Sequence, residues 1–332
     1  MTIPRVLVTG GYGCIGSETT KWLLRNSDAQ VVVASRTINE ERSTKVFHDV
    51  DRSRIVFEKL DVVHQDRLQA LLNKHEISHV VHMAALQTPD CNAHRDLGLQ
   101  INLAGTQNLV EAMKSCGRKI QRFVYASSIA VYGPRASYEM DRVPMLAEPN
   151  PVNVYGAWKL AGESVAKFFC QDTGTPTVTV RPGVLFGPGR DAGLTSSPTT
   201  AMKSVAMQIP YEIPFCSKQD YLYAPDVGGA IGNTVVEPFD GYAAYTLPSH
   251  TVETQQVIDA IQKAAGELGL SDGCQITVGT DEVPFICDLD FAPFMKAFPK
   301  APHTDLNLAV KQSLQVFMEQ VRKGWLKPED LI

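Results

Sequence analysis

The 332-residue sequence predicts an α/β protein, a doubly wound parallel sheet with a smaller C-terminal α/β cap. Short apolar runs alternate with helical segments through about residue 181, a glycine-rich turn joins the first run to the first helix, and the texture changes beyond that point. Strands buried on both faces of a parallel sheet read as continuous apolar runs, which is the form these runs take. A glycine turn between strand and helix makes the sheet Rossmann-type, because that turn is where such a sheet holds a dinucleotide.

In chain order, strands are expected at Arg5–Thr9, Gln30–Ser35, Arg54–Leu60, His79–Met83, Arg122–Ala126 and Thr177–Arg181. Helices are expected at Cys14–Asn26, Asp66–His75, Asp96–Cys116 and Tyr155–Thr173, each with apolar residues at mixed spacings of three and four. Pro and Gly then punctuate Arg181–Gly193, and Pro198, Pro210 and Pro214 interrupt the next stretch of chain. Two further helices, Val252–Gly266 and Asn307–Lys323, stand beside a short strand at Gln275–Val278. Residues 1–180 and about 220–245 are expected to form a dinucleotide-binding domain, and about 181–219 and 246–332 a substrate-binding cap, with substrate in the cleft between.

Composition narrows the function classes. Hydrophobic residues at 44% and charged residues at 20% support a packed core and argue against disorder or coiled coil. The net charge is −5 and the 31 basic residues are scattered, so no footprint for nucleic acid or an anionic membrane is present and a small-molecule partner is expected. Seven cysteines without a close pair (Cys14, Cys91, Cys116, Cys170, Cys216, Cys274, Cys287) suit neither a disulfide framework nor a structural zinc site, and reduced thiols without metal are expected. The opening MTIPRVLVTGG lacks the apolar core of a signal peptide and no stretch of about 18 apolar residues occurs, which predicts a soluble, cytoplasmic protein.

The run Thr9-Gly10-Gly11-Tyr12-Gly13-Cys14-Ile15-Gly16 follows the first strand and opens the first helix. Gly10 serves the tight turn, Gly13 the close approach of backbone to a pyrophosphate, and Gly16 the packing of helix on strand, while free N–H groups at the helix start favour phosphate. At the end of the second strand Ser35 stands where a ribose-binding carboxylate is expected, and Arg36 can meet a 2′-phosphate with a planar fork of donors. This favours NADP, with NAD as the alternative; an Arg36 that is only a solvated strand-end charge leaves the choice open. Asp61 is placed either to accept a hydrogen bond from the adenine amino group or to cap the next helix.

Tyr155-Gly156-Ala157-Trp158-Lys159 sets a phenol and an ammonium four residues apart, on one face of a helix. A phenol near pKa 10 is a poor base at neutral pH, and the Lys159 cation answers that need. Ser128, at the end of the fifth strand, can hydrogen-bond a substrate oxygen while Tyr155 exchanges its proton and hydride passes between substrate carbon and nicotinamide.

These residues resemble the extended short-chain dehydrogenase/reductase superfamily, the NAD(P)-dependent epimerase/dehydratase group, over roughly residues 5 to 230. The resemblance rests on TGGYGCIGS (9–17), LDV (60–62), HMAAL (82–86), INLAGTQNL (101–109), YASSIAVYG (125–133), NVYGAWKLAGE (153–163), RPGVLFGPGR (181–190) and YLYAPDVGGAI (221–231). It implies that Ser128 is the catalytic hydroxyl, Tyr155 the acid/base, and Lys159 the lysine that holds the nicotinamide ribose and lowers the tyrosine pKa. It further implies cofactor contacts from Cys14, Ile15, Val62, Met83, Ala84 and Ala85, a mainly structural Asn102, and a homodimer through helices Asp96–Cys116 and Tyr155–Thr173.

Two departures matter. Where nucleotide-sugar enzymes of this group carry an asparagine that contacts the substrate diphosphate, Val184 stands here, and a phosphate-binding arginine is replaced by Gln219. Without those two anion partners a smaller substrate is favoured, although Lys203, Lys218 or Arg190 can compensate. Gln87, Thr88, Tyr132, Gly183, Arg190, Thr195 and Ser196 are the candidate substrate-facing residues; Arg190 is placed either to bind a carboxylate or, in its Pro/Gly-rich loop, to face solvent, and His82 is expected to pack rather than react. The expected activity is an NADP-preferring oxidoreductase interconverting alcohol and carbonyl on a sugar, sugar acid or hydroxy ketone. The alternative is a nucleotide-sugar 4-epimerase or related isomerase with transient oxidation.

Overall fold

A computed structural model describes residues 3–193, 195–270, 274–283 and 285–331. The first half runs β1 (Arg5–Thr9), α1 (Cys14–Asn26), β2 (Gln30–Ser35), α2 (Glu40–Val46), β3 (Ile55–Lys59), α3 (Gln65–Lys74), β4 (His79–His82), α4 (Thr88–Ala93), α5 (Arg95–Leu99), α6 (Gly105–Ser115), β5 (Arg122–Ala126) and α7 (Val154–Thr173). It continues with β6 (Thr177–Arg181), β7 (Val184–Phe186), α8 (Ser197–Ala206), β8 (Tyr211–Phe215), β9 (Lys218–Tyr223), α9 (Ala224–Val236) and β10 (Tyr242–Thr246). The last elements are β11 (His250–Glu253), α10 (Thr254–Glu267), β12 (Ile276–Asp281), α11 (Ala292–Ala297) and α12 (Leu306–Arg322).

Seven strands form one parallel sheet in the order β10-β6-β5-β4-β1-β2-β3, the Rossmann-type arrangement the sequence predicts. Alternation along each strand explains why it must be covered twice. Val6 and Val8 of β1 and Val31 and Val33 of β2 pack on the side of α1 and α9, while Leu7 and Val32 pack with Leu68 and Leu72 of α3 and Leu109 of α6. A mixed sheet, β11-β9-β7, and a parallel pair, β12-β8, stand apart from it. They share a separate apolar cluster that includes Phe186, Tyr221, Ile261 and Phe317. No helix among the described residues is long and apolar enough to cross a membrane.

Several elements differ from expectation for identifiable reasons. The helix expected over Asp96–Cys116 is interrupted by a wider π turn at Gln100–Ala104. The extra residue turns Asn102 toward the backbone of Leu86, whose N–H it accepts at 2.7 Å and whose carbonyl it meets at 3.0 Å. The helix expected from Val252 begins at Thr254, because Val252 and Glu253 pair with Gln219 and Lys218 of β9 and Glu253 forms a capping box with Gln256. Strand β10 and helix α9 go unread from sequence: YAAYT is a weak strand signal, and α9 carries Gly228, Gly229 and Gly232 in its interior.

Those glycines are the reason α9 can lie against α1. A Cβ at Gly228 would stand 2.5 Å from the carbonyl carbon of Glu18, which is backbone and cannot swing aside. Because α1 begins at the glycine turn, its position sets that turn. Gly228→Ala is therefore expected to cost roughly 1–3 kcal/mol by overpacking, read as a melting temperature several degrees lower and as weaker dinucleotide binding in calorimetry. An unchanged melting temperature would contradict this contact.

Candidate active site

A cavity of about 700 Å³ runs along the carboxyl ends of β1, β2, β4 and β5, the place where an open α/β sheet binds ligands. Its floor is the glycine turn. Gly10 has φ +69°, and a Cβ there would stand 3.0 Å from the Ala84 nitrogen; a Cβ on Gly16 would stand 2.5 Å from the Gly10 oxygen. No side chain caps α1, so its first N–H groups face the cavity without intrahelical partners. A pyrophosphate is the ligand such a cradle fits, and the residues present suit a dinucleotide.

At one end Ser35, Arg36, Thr37 and Arg42 line the wall, with Leu60, Asp61 and Val62 opposite. Arg42 donates to the Tyr12 carbonyl at 3.2 Å. Sequence reasoning missed Arg42 because it missed α2, although Asn39 followed by Glu40 and Glu41 is a helix-start signal, and Asn39 does cap Arg42 N–H at 2.9 Å. Asp61 lines the cavity, and its carboxylate accepts from Val63 N–H at 3.2 Å; the residue before α3 is His64, so Asp61 stabilises the turn and does not cap the helix.

Toward the other end the cavity gathers Ser128, Tyr155 and Lys159. Asn153 caps α7 by accepting Gly156 N–H at 2.9 Å, so Tyr155 falls in the first turn and Lys159 one turn on. Ser128 lies two residues past the end of β5, where it caps a short 3-10 turn by accepting Ala130 N–H at 3.1 Å. Contrary to the lowering expected from Lys159, burial raises the Tyr155 pKa above its ordinary value, opposed by a hydrogen bond with Ser128 and by the Arg190 cation. Lys159 is buried, donates to the Ala126 carbonyl at 2.7 Å, and is pulled down to about 8 by burial, with Cys91 and Glu163 acting against it. The ammonium is thus aimed at the Ala126 carbonyl, with its Nζ 5.8 Å from the Tyr155 ring centre, and Arg190, a residue expected to face substrate, is a second cation near the phenol.

Beneath the cavity His82 is fully buried between Thr9 and Thr106. The Thr9 hydroxyl accepts the Met83 and Ala84 N–H groups at 3.1 and 3.2 Å and so donates to His82 Nδ1 at 2.7 Å. The Thr106 hydroxyl donates to the Asn102 carbonyl and so accepts His82 Nε2–H at 3.1 Å. This chain requires the neutral imidazole, and burial pushes its pKa down to about 3. His82 and Asn102 position the loop after β4 and do not face the cavity.

The structure brings all the residues expected at the cofactor together: Gly10, Gly13, Cys14, Ile15, Gly16, Ser35, Arg36, Asp61, Val62, Met83, Ala84, Ala85, Tyr155 and Lys159 line one cavity. Of the residues expected to face substrate, Gln87, Thr88, Ser128, Gly183, Arg190 and Thr195 line it too. Tyr132 and Ser196 do not, which corrects that expectation. Tyr132 is buried, with its hydroxyl taking a hydrogen bond from Arg181 at 2.6 Å and giving one to the Met145 carbonyl, and Ser196 turns its hydroxyl back to the Gly193 carbonyl at 2.9 Å. Leu86, Pro182, Val184, Leu185 and Phe285 complete the wall. Phe285 comes from far along the chain and no local signal marks it.

A sequence profile of the NAD dependent epimerase/dehydratase family matches residues 6–238. UDP-glucose 4-epimerase of Mus musculus is 32% identical over 187 residues, which are 53% of this chain and 52% of that protein. The chain spans about half the length of the curated relatives it matches. Among solved structures, UDP-glucose 4-epimerase of Thermus thermophilus in complex with NAD has a TM-score of 0.76 at 23% identity, covering 94% of this chain and 98% of that one. L-threonine dehydrogenase of Clostridium difficile has a TM-score of 0.77 at 20% identity, covering 98% and 100%. At such identities the two structures attest the fold.

The neutral His82 has a measurable consequence. In the unfolded chain imidazole protonates as pH falls through 6.5, while His82 in the fold stays neutral down to about 3. The unfolded state then binds more protons, and stability falls with falling pH across that window. Between pH 6.5 and 5 the wild type is expected to lose about 1.7 kcal/mol more than His82→Gln, measured by denaturant unfolding at both pH values. Parallel losses in the two proteins would contradict a buried neutral His82.

Proposed function

This chain belongs to the NAD dependent epimerase/dehydratase family, and we propose that within it the protein is an NADP-preferring oxidoreductase interconverting alcohol and carbonyl on a small polar substrate. The observation that carries this reading is the fate of the cations at the substrate end. Lys203 is buried against Asp191 at 2.8 Å and Lys218 is paired with Asp288 at 2.7 Å, so neither is free to make up for the diphosphate partners that Val184 and Gln219 cannot supply. Arg190 alone of the three lines the cavity. A nucleotide-sugar diphosphate would be poorly neutralised there, whereas a small polar compound needs no such set.

The roles follow from placement. Ser128 and Tyr155 present two hydroxyls to a substrate oxygen at one spot, and Tyr155 Oη takes the proton as a carbinol is oxidised and returns it as a carbonyl is reduced. Lys159 holds the nicotinamide ribose, and the charge of Arg190 favours the phenolate. The glycine turn holds the phosphates. When bound, the nicotinamide supplies a two-electron carrier for hydride. Arg36 and Arg42, both lining the adenosine end with Ser35 in place of a carboxylate, support NADP over NAD. The division into a dinucleotide-binding part (1–180 and about 220–245) and a cap (about 181–219 and 246–332) belongs to the same proposal; Phe294 and Phe298, which pack with the large sheet's core, join the first part by contact.

A second reading, a nucleotide-sugar 4-epimerase, is favoured by the likeness to the mouse enzyme and would use the same three residues. Absorbance of reduced nicotinamide separates the two. Net oxidation or reduction of a sugar, sugar acid or hydroxy ketone is expected, faster with NADP than with NAD, and Tyr155→Phe is expected to lower kcat at least about 100-fold. Conversion of a nucleotide sugar with no net redox change would move the protein to the epimerase reading, and turnover surviving Tyr155→Phe would remove Tyr155 as the acid/base.

A homodimer is part of the proposal. Leu97 and Leu99 on α5 and Phe168 on α7 are exposed at 41%, 43% and 60%, on the two helical regions through which a dimer is expected. Sedimentation at micromolar concentration should show twice the monomer mass, and a monomer there would remove this element.

A further inference from the structure

The segment that carries Arg190 is bonded to α8 on both sides of it. Lys203, itself 5% exposed, pairs with Asp191, and Gly187 N–H donates to Thr199 at 3.1 Å. These bonds deliver Arg190 into the cavity beside Tyr155. There its guanidinium is poorly satisfied: Nη1 reaches Gln87 Oε1 at 3.4 Å, Nη2 reaches Thr195 Oγ1 at 3.5 Å, and Nε is sealed from solvent without any hydrogen-bond partner among the described residues. No carboxylate among the described residues lies within 4 Å of it, since the neighbouring Asp191 is committed to Lys203. A half-buried guanidinium with unused donors and no counter-ion costs free energy until an anion arrives.

We propose that Arg190, with Gln87 and Thr195, is the seat of a substrate carboxylate, so that the substrate is a small hydroxy acid or its oxo form. Resting on the oxidoreductase reading above for the reacting hydroxyl, this seat stands next to Tyr155 and sets the carboxylate a few bonds from the carbinol. The planar fork of Arg190 matches a carboxylate in two parallel hydrogen bonds, and Thr195 and Gln87 can turn to complete its remaining contacts. The Arg190 cation also draws the Tyr155 pKa downward, which shows that the two groups share one field. The loop abuts the glycine turn as well, with Cys14 donating to the Pro188 carbonyl at 3.8 Å, so a dinucleotide phosphate is the rival anion for the same donors.

The test loads the protein with NADP and titrates glycerate, tartrate and gluconate, each against its own primary amide, by calorimetry, while nicotinamide absorbance reports turnover. At least one acid is expected to bind about 10- to 100-fold more tightly than its amide, the span of a charge-assisted hydrogen-bond pair. Arg190→Gln and Arg190→Lys are expected to erase that margin while the affinity for NADP stays within about threefold. Acids and amides that bind equally, or no acid that binds, would overturn the seat. So would Arg190→Gln weakening NADP instead of the acid, which would assign Arg190 to the cofactor phosphate. Tight acid binding without nicotinamide reduction would support the seat and fail the oxidoreductase reading, whereas turnover of neutral compounds with no preference for acids would do the reverse.

Discussion

The site depends on one buried carboxylate. Glu163, one turn beyond Lys159 on α7, accepts Ser127 Oγ at 2.6 Å from the end of β5 and Arg181 Nε and Nη2 at 2.8 and 2.6 Å from the end of β6. Arg181 in turn reaches the Tyr132 hydroxyl and the Met145 carbonyl. A single side chain thus ties the helix of Tyr155 and Lys159 to two adjacent strands, at a depth where an unpaired charge would cost several kcal/mol. The pairing leaves α7 little freedom to slide, and Tyr155 and Lys159 inherit that rigidity.

Rigidity there gives the cavity its electrical order. Arg36 and Arg42 stand at one end, the uncapped N–H groups at the start of α1 in the middle, and Lys159 and Arg190 at the other. Positive character thus runs along the whole cleft of a chain whose net charge is −5. Local field, shaped by low-dielectric walls, outweighs the global sum when the ligand is anionic. The same order explains why Lys203 and Lys218 contribute nothing to it, since each is neutralised by an aspartate before it can reach the cavity.

What the chain reveals before folding is local chemistry. The glycine turn, the Tyr155–Lys159 spacing and the apolar strand runs each depend on residues within one or two turns of one another, so their meaning survives in one dimension. That the first six strands run parallel follows from the same alternation, because parallel strands require helical crossovers. Even the break in the helix after Arg95 has a local mark, in an asparagine at position 102 among apolar neighbours, although its cause is the distant backbone of Leu86.

Tertiary structure decided the rest by bringing together groups that carry no mutual signal. Whether Arg190 is a solvated loop charge or a cavity-facing cation turned on Lys203, thirteen residues away, claiming Asp191. Whether Tyr132 faces substrate turned on Arg181, whose guanidinium takes its hydroxyl. Phe285 joins the wall from the far end of the chain, and α9 becomes a helix in spite of three interior glycines because α1 leaves no room for side chains between them. The family and its dinucleotide cradle were therefore written in the sequence, where backbone needs dictate residue type. Which cations remain free to meet a substrate was not, because the pairing of charges in space depends on distances that only the folded chain creates.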